Sequence, residues 1–411
     1  MHAKAETGNQ LADACAVYAV AIIGGGAAGM MAACETGKRG LKTLILERNG
    51  ELGKKLSITG GGKCNFTNLH TNHENYFSQN PHFCKSALSR YSPRDFIELM
   101  LKYRSPFLER ADGQMFCELS ASQILGIFRS ELSGCPVDIK LNREVIGVSQ
   151  DEGLFRIQCT REYFLAESLI VTTGGLSYPS LGAGPIGYDV AQSFGHAIVP
   201  TRPALVPLRF SEAEAKIYSP LSGLSVEVEA RALRSGQAFR GPMLFTHRGI
   251  SGPAILQAST CLCEEQDLTL DLAPDLDLAL WLRTCKKEAP RQLFKNILAR
   301  CFTKSFGTLL AGPENSSREI GQLKDAELDV FASKLKSWKF ELSGDEGYRK
   351  AEVTLGGVDT DEVSSKTMES KRVPKLYFAG ELLDVTGQLG GYNLQWAWSS
   401  GHVAGCAAGC T

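Results

Sequence analysis

A glycine-rich turn between a short apolar run and a helical stretch limits most strongly how this chain can fold. The turn, Gly24-Gly25-Gly26-Ala27-Ala28-Gly29, follows apolar residues 18–23. It opens a helical stretch over 27–36, and a second apolar run covers 41–46. Short apolar runs with β-branched residues and no alternation are typical of parallel strands that are buried on both faces. The pattern therefore predicts a βαβ unit and an α/β fold.

The turn also predicts a dinucleotide site. Gly24 permits a tight turn, Gly26 lets the backbone approach a pyrophosphate, and Gly29 allows the helix to pack closely on the strand. The helix N-terminus offers N–H groups and a positive dipole end to the phosphates. Glu47 ends the second strand, where a carboxylate binds an adenosine ribose and disfavours a 2′-phosphate. FAD or NAD is therefore favoured over NADP, although Glu47 as a plain surface acid stays open.

A second glycine cluster separates FAD from NAD. Gly60, Gly61 and Gly62 follow the ribose acid, and such a cluster is unexpected in a plain NAD dehydrogenase. Without side chains, these residues let backbone amides approach a large flat ligand. Lys63 supplies positive charge, and Asn65, Thr67 and Asn68 offer hydrogen bonds. This stretch predicts a flavin contact, with a mobile loop as the alternative.

The chain resembles the BaiN/YhiN-like NAD(P)/FAD-dependent oxidoreductases, also described as aminoacetone-oxidase-like flavoproteins. Four blocks carry the resemblance: residues 22–29, 59–68, 245–253 (FTHRGISGP) and 377–401, which contains AGELLDV and GGYNLQWAWSSG. The resemblance implies a discontinuous FAD/NAD(P)-binding Rossmann-like domain with an inserted β-barrel-like domain and a small helical subdomain. We expect the Rossmann-like domain at 1–196 and 351–411, the β-rich insert at 197–272 and 339–350, and the helical subdomain at 273–338.

The resemblance also implies that Glu381 contacts the ribityl or pyrophosphate region of the flavin. We further predict that Gly390 and Gly391 deliver the last helix to the pyrimidine edge of the flavin, with Asn393 as N-cap and Gln395 as a side-chain donor. The full set of predicted FAD-binding residues is Gly24, Gly26, Ala27, Ala28, Gly29, Glu47, Arg48, Lys55, Thr59, Gly60, Gly61, Gly62, Lys63, Cys64, Asn65, Val145, Thr173, Gly174, Gly175, Gly380, Glu381, Gly391, Tyr392, Asn393, Leu394 and Gln395.

The chain departs from the family at a few positions. Residues 182–187 read GAGPIG where the family has a polar and acidic turn, Lys63 replaces a common Arg, and Arg248 replaces a common aromatic residue. These departures place the family's substrate chemistry in doubt for this chain.

No catalytic residue can be assigned from the sequence. His247, Cys64 and Tyr178 are weak candidates, and each is equally or better explained by ordinary packing. A second G-x-G-x-x-G followed by a helix is absent from the sequence, so an NAD(P)H reductant would dock transiently over the flavin.

Composition narrows the partners. The net charge of −1, with no basic stretch interleaved with aromatics, predicts neither nucleic-acid nor membrane binding, and we expect a small-molecule substrate. The 13 cysteines include no Cys-x-x-Cys pair, which predicts free thiols in the cytoplasm and no metal. Three functions remain: an FAD-dependent oxidoreductase of an unidentified small organic molecule, an amine or aminoketone oxidase that uses oxygen, and a flavin sensor or RNA-modification partner. The oligomeric state stays open.

Overall fold

The computed structural model describes residues 17–262 and 267–410, which form two compact units. The first unit holds Met1–Thr201 and Gly356–Thr411, and the second holds Arg202–Leu355. The chain leaves the first unit along strand Ile198–Ala204 and returns along strand Val353–Val358. The predicted domain boundaries at 196/197 and 350/351 stand close to these crossing points, and the predicted division of the insert into two parts stays a prediction.

A seven-stranded mixed sheet forms the centre of the first unit, in the order β7-β2-β1-β10-β9-β8. Strand β19 pairs with the C-terminal end of β10. Its strands are β1 Val17–Ile23, β2 Thr43–Leu46, β7 Val137–Lys140, β8 Val145–Asp151, β9 Leu154–Cys159, β10 Tyr163–Val171 and β19 Leu376–Phe378. Strands β7, β2, β1, β10 and β19 are parallel, whereas β8 and β9 form an antiparallel meander with β10. The predicted βαβ unit is therefore present.

Within residues 17–262 and 267–410, six helices and three small strand sets complete the first unit. The helices are α1 Ala27–Lys38, α2 Lys85–Arg90, α3 Pro93–Lys102, α4 Ser122–Leu132, α5 Ile186–Ser193 and α12 Tyr392–Ala407. The remaining strands are β3 Asn65–Asn68, β4 Tyr76–Phe77, β5 Phe107–Glu109, β6 Gln114–Cys117, β11 Ile198–Ala204, β18 Val353–Val358 and β20 Thr386–Gly387.

Helices α1 and α12 pack with their backbones in contact. A Cβ on Gly401 would lie 2.4 Å from the Ala28 carbonyl oxygen, and one on Gly405 would lie 2.5 Å from that of Ala32. Glycine at both positions therefore lets α12 lie directly on α1. On the other side of α12, the Trp398 ring stacks on Phe96 at a centroid distance of 4.6 Å, a pair worth about 0.5–1.5 kcal/mol.

The second unit is built on a six-stranded antiparallel sheet in the order β16-β13-β14-β15-β12-β17. Its strands are β12 Leu208–Phe210, β13 Ser225–Ala232, β14 Ala238–Phe245, β15 Gly249–Ser251, β16 Leu268–Asp271 and β17 Leu342–Asp345. Its helices are α6 Glu212–Tyr218, α7 Pro253–Cys261, α8 Leu278–Glu288, α9 Phe294–Leu298, α10 Lys304–Asn315 and α11 Asp325–Lys336.

Local signals placed most of these elements, and the differences have physical causes. The predicted helical stretch 27–36 continues through Gly37 to Lys38, and a Cβ on Gly37 would come within 2.8 Å of the Cys135 side chain. Gly312 and Pro313 interrupt the regular geometry of α10. Within residues 17–262 and 267–410, no helix combines the length and apolar character that crossing a membrane requires.

Candidate flavin site

The glycine turn joins β1 to α1 as the sequence predicts, and its glycines serve two different purposes. Gly24 has φ +102°, and a Cβ there would lie 2.6 Å from the Thr172 carbonyl oxygen. A Cβ on Gly29 would lie 1.9 Å from the Gly24 carbonyl oxygen. Both residues are therefore required by the turn itself, because no side chain fits at either position.

Gly26 is different, because a Cβ there would meet no atom within 4 Å. It is the N-cap of α1, where no side chain caps the helix and the first turn holds no acid. The N–H groups of this turn, including those of Ala27 and Ala28, are consequently left for an anionic ligand. Open space beside uncapped N–H groups fits the pyrophosphate of FAD.

Glu47 is 7% exposed and lies against the glycine turn. Its Oε2 accepts the Gly25 N–H at 2.8 Å, and its Oε1 accepts two hydrogen bonds from Asn49 at 2.7 and 2.8 Å. A carboxylate oxygen can accept two hydrogen bonds, so Oε2 retains one acceptor position for a ribose hydroxyl. The predicted role is compatible with this geometry, and the carboxylate also holds the turn.

The second glycine cluster adopts a left-handed backbone at three successive residues. Gly60, Gly61 and Gly62 have φ of 57°, 66° and 85°, a conformation that side chains disfavour. A Cβ on Gly61 or Gly62 would meet nothing within 4 Å, whereas one on Gly60 would meet the backbone N of Asn65 at 2.9 Å. The cluster therefore presents bare backbone to open space. Thr59 Oγ1 closes the preceding turn by donating to the Leu56 carbonyl at 2.7 Å.

A partly buried ion pair joins two predicted site residues that are far apart in sequence. Lys55 Nζ lies 2.7 Å from Glu381 Oε2, and both side chains are largely shielded from solvent. The preceding residue, Gly380, is fixed by α12, because its N–H donates to Ser400 Oγ and its carbonyl accepts from Trp396 Nε1. No local sequence pattern marks Ser400 or Trp396 as positioning residues.

The remaining predicted residues lie in loops, at the start of β8 or on α12. Arg48 donates to the Gly182 carbonyl at 3.1 Å and pairs with Glu144, so it contacts the turn at 182–187 that departs from the family. Val145 is buried at the start of β8. Gly174 has φ +73° and faces open space. Thr173, Gly175 and Leu394 remain predicted contacts, as do Lys63, which is exposed, and Tyr392, whose ring packs on Tyr76.

The structure corrects the predicted start of the last helix. Asn393 is not the N-cap, because α12 begins at Tyr392 with Gly391 as N-cap. The Asn393 side chain instead bridges the N–H and the carbonyl of Gly387 at 2.8 Å each. A Cβ on Gly391 would lie 2.5 Å from the Thr67 carbonyl oxygen, so this glycine is required by β3 of the protein itself. The prediction that Gly391 is a glycine because of the flavin ring is therefore replaced by this contact within the protein.

The prediction that Gln395 supplies a side-chain donor to the flavin is also wrong. It is fully buried, and its Nε2 donates to the Tyr91 carbonyl and to Ser399 Oγ at 2.9 Å each. Its Oε1 accepts from Thr67 Oγ1 at 2.5 Å. Because both amide hydrogens are used, Gln395 has no donor left for a flavin. The predicted Thr67 donor is used in the same way.

The amides of β3 serve the fold as well. Asn68 Nδ2 donates to the carbonyls of Asp112 and Gly390 at 3.0 Å each, which corrects its predicted flavin contact. Asn65 Nδ2 lies 2.8 Å from Gln114 Oε1, at the rim of the same region. Residues of β3 therefore hold the last helix in place by hydrogen bonds across more than 300 positions of sequence.

The three weak catalytic candidates differ in burial and in their contacts. Cys64 is completely buried, and burial raises the pKa of its thiol well above the usual value, so it is not a reactive thiolate. Tyr178 is half-buried with φ +62° and stays a prediction. His247 is an exposed residue of the second unit, and its carbonyl accepts from Ser219 Oγ at 2.9 Å.

Comparisons with known proteins identify the family of this chain and several relatives. Residues 18–407 match the family model described as the HI0933-like protein Rossmann domain. The chain is 43% identical over 387 residues to a protein of Escherichia coli K12 named ribosomal RNA dihydrouridine synthase, covering 92% of this chain and 95% of that protein. It is 30% identical to a 3-dehydro-bile acid delta(4,6)-reductase of Clostridium scindens, covering 95% of this chain and 98% of that protein.

A solved structure with a similar fold is the 3-ketosteroid-delta4-(5alpha)-dehydrogenase of Rhodococcus jostii RHA1 in complex with 4-androstene-3,17-dione. The TM-score is 0.50 at 13% identity, and each chain is covered completely. At this identity the likeness extends to the fold alone.

Proposed function

We propose that this chain, which belongs to the HI0933-like Rossmann-domain family, reduces the C5=C6 double bond of a uridine in ribosomal RNA. Family membership follows from the match over residues 18–407, and the resemblance predicted from the sequence motifs is confirmed. The chain is an FAD-dependent oxidoreductase on an α/β Rossmann-type fold, as predicted. The substrate is the new part of the proposal.

The single observation that carries the proposal is the 43% identity to a ribosomal RNA dihydrouridine synthase over nearly all of both chains. Dihydrouridine is uridine with its C5=C6 bond saturated, and that bond is conjugated with the C4 carbonyl. Reduction therefore adds a hydride at C6 and a proton at C5. FAD, when bound and reduced, would supply the hydride chemistry, and the chain would hold both the base and the cofactor.

The cofactor proposal is non-covalent FAD, bound by the residues described above. The uncapped first turn of α1 would hold the pyrophosphate, and Glu47 Oε2 would accept a ribose hydroxyl. Lys55 and Glu381 would lie near the phosphate and ribityl region, where their ion pair fixes both side chains. We propose NAD(P)H as the reductant and the cytoplasm as the location.

The surface near the second glycine cluster supports an RNA substrate. Gly60 and Gly61 are exposed, so a base carried by a bulky polymer could reach this loop. Lys63 is exposed beside them, and the Arg110 guanidinium lies 4.3 Å from the centre of the Phe116 ring, which packs against Gly60. Lys54 and Lys63 form no ion pair within residues 17–262 and 267–410. Such cations suit phosphate contacts, although the net charge of −1 led us to expect no nucleic acid.

The experiment mixes the purified protein, FAD, NADPH or NADH, and ribosomal RNA from cells that lack the homologous gene. Nucleosides are then analysed by mass spectrometry for the two-hydrogen gain of dihydrouridine. We expect dihydrouridine at a defined site. Arg110→Ala, which lies outside the predicted FAD contacts, should raise the KM for RNA, with the RNA-independent reduction of flavin by NAD(P)H unchanged. Lys42→Ala is the matched control, because Lys42 precedes β2 at the opposite end of the strand from Glu47.

The bile-acid reductase relative supports a second candidate, reduction of a carbon–carbon double bond in a 3-oxo steroid. A steroid of this class is included in the same assay as a competing substrate. Steroid reduction without dihydrouridine would replace the first candidate by the second. Flavin reduction followed only by peroxide formation would favour the oxidase alternative over both.

A further inference from the structure

Three potential metal ligands meet where α1 and α12 cross, at residues that the flavin site does not use. They are Glu35 from α1, and His402 and Cys406 from α12. Cys406 Sγ lies 3.7 Å from Glu35 Oε2 and 3.7 Å from His402 Nε2, and His402 Nδ1 lies 3.6 Å from Glu35 Oε1. One ligand atom from each residue can be chosen so that all three lie within 4.8 Å of one another.

The helix geometry explains why these side chains meet. His402 and Cys406 are four residues apart on α12 and so lie on one face. Gly401 and Gly405 allow that face to approach the backbone of α1, because any side chain at either position would collide with Ala28 or Ala32. Each ligand on α12 therefore follows directly on a glycine that sets the helix spacing. The His402 ring also packs on Tyr91 at a centroid distance of 4.9 Å, which restricts its orientation.

We propose that Glu35, His402 and Cys406 bind a zinc ion that fastens the last helix to the flavin-binding helix. Thiolate, imidazole and carboxylate are all zinc ligands, and a tetrahedral ion with normal bond lengths separates such ligand atoms by about 3.5 Å. Cys406 Sγ lies 3.7 Å from both Glu35 Oε2 and His402 Nε2, and these two spacings are close to that value. A thiolate in the set favours zinc over magnesium or calcium, which prefer oxygen ligands alone.

Two contacts decide which ligand atoms are left for the ion. His402 Nδ1 is buried and lies 3.6 Å from Glu35 Oε1, so Nε2 is the nitrogen that faces Cys406 Sγ, and the second nitrogen of a metal-binding imidazole commonly faces a carboxylate in this way. Lys38 occupies one oxygen of Glu35 at 2.9 Å, which leaves Oε2 for an ion on the Cys406 side. All three side chains are partly exposed, so water would complete the coordination.

The experiment uses the full chain, stripped of metal with a chelator and then titrated with Zn²⁺ against a chromophoric competitor. Co²⁺ is titrated separately, because a thiolate ligand gives a charge-transfer band in the near ultraviolet and a tetrahedral site gives strong visible bands. We expect one ion per chain and both spectral signatures. Zn²⁺ should also raise the melting temperature of the wild type.

Cys406→Ser should remove the charge-transfer band, and Cys406→Ser and His402→Gln should each weaken Zn²⁺ binding by more than about 100-fold, because losing even an outer partner of a metal site costs 10–100-fold. Cys410→Ser is the matched control: Cys410 lies four residues further on, is exposed, and should not affect binding. Circular dichroism checks that each variant folds, and Glu35→Gln replaces any variant that does not. Binding that survives both Cys406→Ser and His402→Gln, or no stoichiometric binding to the wild type, would overturn the proposal.

Discussion

The two glycine-rich turns that precede α1 and α12 look alike in sequence but differ in what faces them. At the first turn, Gly26 faces open space, and the helix N-terminus has no side-chain cap. At the second turn, Gly391 faces the backbone of Thr67, only 2.5 Å from the position of a Cβ. One glycine leaves room for a ligand, whereas the other leaves room for the protein's own strand. A glycine before a helix is therefore not sufficient evidence of a ligand contact.

The largest expected effect is on Gly391→Ala, which tests the packed turn. Its φ of +97° strains any L-residue, and the new Cβ would overlap β3. Strain of about 1–2 kcal/mol and overpacking of about 1–3 kcal/mol should lower the free energy of unfolding by roughly 2–5 kcal/mol. Urea denaturation of the FAD-free protein measures this value. Unchanged stability would show that the contact with Thr67 is not tight.

An intermediate effect is expected for Glu47→Ala, which tests the carboxylate beside the first glycine turn. The carboxylate holds the Gly25 N–H and, in our proposal, one ribose hydroxyl. Losing a charged hydrogen bond costs about 1.5–3 kcal/mol, so FAD should bind roughly 10- to 150-fold more weakly. Glu47→Gln should lose less, since the amide oxygen still accepts one bond. Equilibrium dialysis of the two variants decides the point, and wild-type affinity in Glu47→Ala would exclude the ribose contact.

The smallest effect is expected for Gly26→Ala, the direct counterpart of Gly391→Ala. Its φ is −77° and its Cβ would meet nothing, so the free energy of unfolding without FAD should stay within about 0.5 kcal/mol of the wild type. FAD affinity should fall by about three- to tenfold because the methyl group approaches the pyrophosphate. If Gly26→Ala destabilised the FAD-free protein as much as Gly391→Ala, the contrast between the two turns would be wrong.

Sequence reasoning succeeded where the physical requirement is local. The strand predicted at 18–23 is observed as Val17–Ile23, and the helix that follows begins at Ala27 as predicted. Gly24 is required by its own φ of +102° and Gly29 by the Gly24 carbonyl oxygen, so their spacing in the turn revealed their role. The first unit is discontinuous, and its sheet contains apolar strands from both ends of the chain.

The same reasoning assigned Gln395, Thr67 and Asn68 to a flavin because their side chains can form hydrogen bonds. In the structure these bonds are made within the protein, between residues more than 300 positions apart. The Lys55–Glu381 pair and the cluster of Glu35 with His402 and Cys406 likewise depend on contacts across most of the chain. No local pattern marks which polar groups find such partners.

By itself, the sequence determined which glycines can adopt a left-handed or closely packed backbone, and it located the first strand and the first helix. A missing Cβ is a property of one residue, so the conformational freedom it gives is visible in the sequence. Only the tertiary structure decided what lies opposite each glycine: open space at Gly26, and the Thr67 carbonyl at Gly391. Backbone conformation is governed by neighbouring residues, whereas the occupant of the space beside it comes from distant parts of the chain that packing brings together.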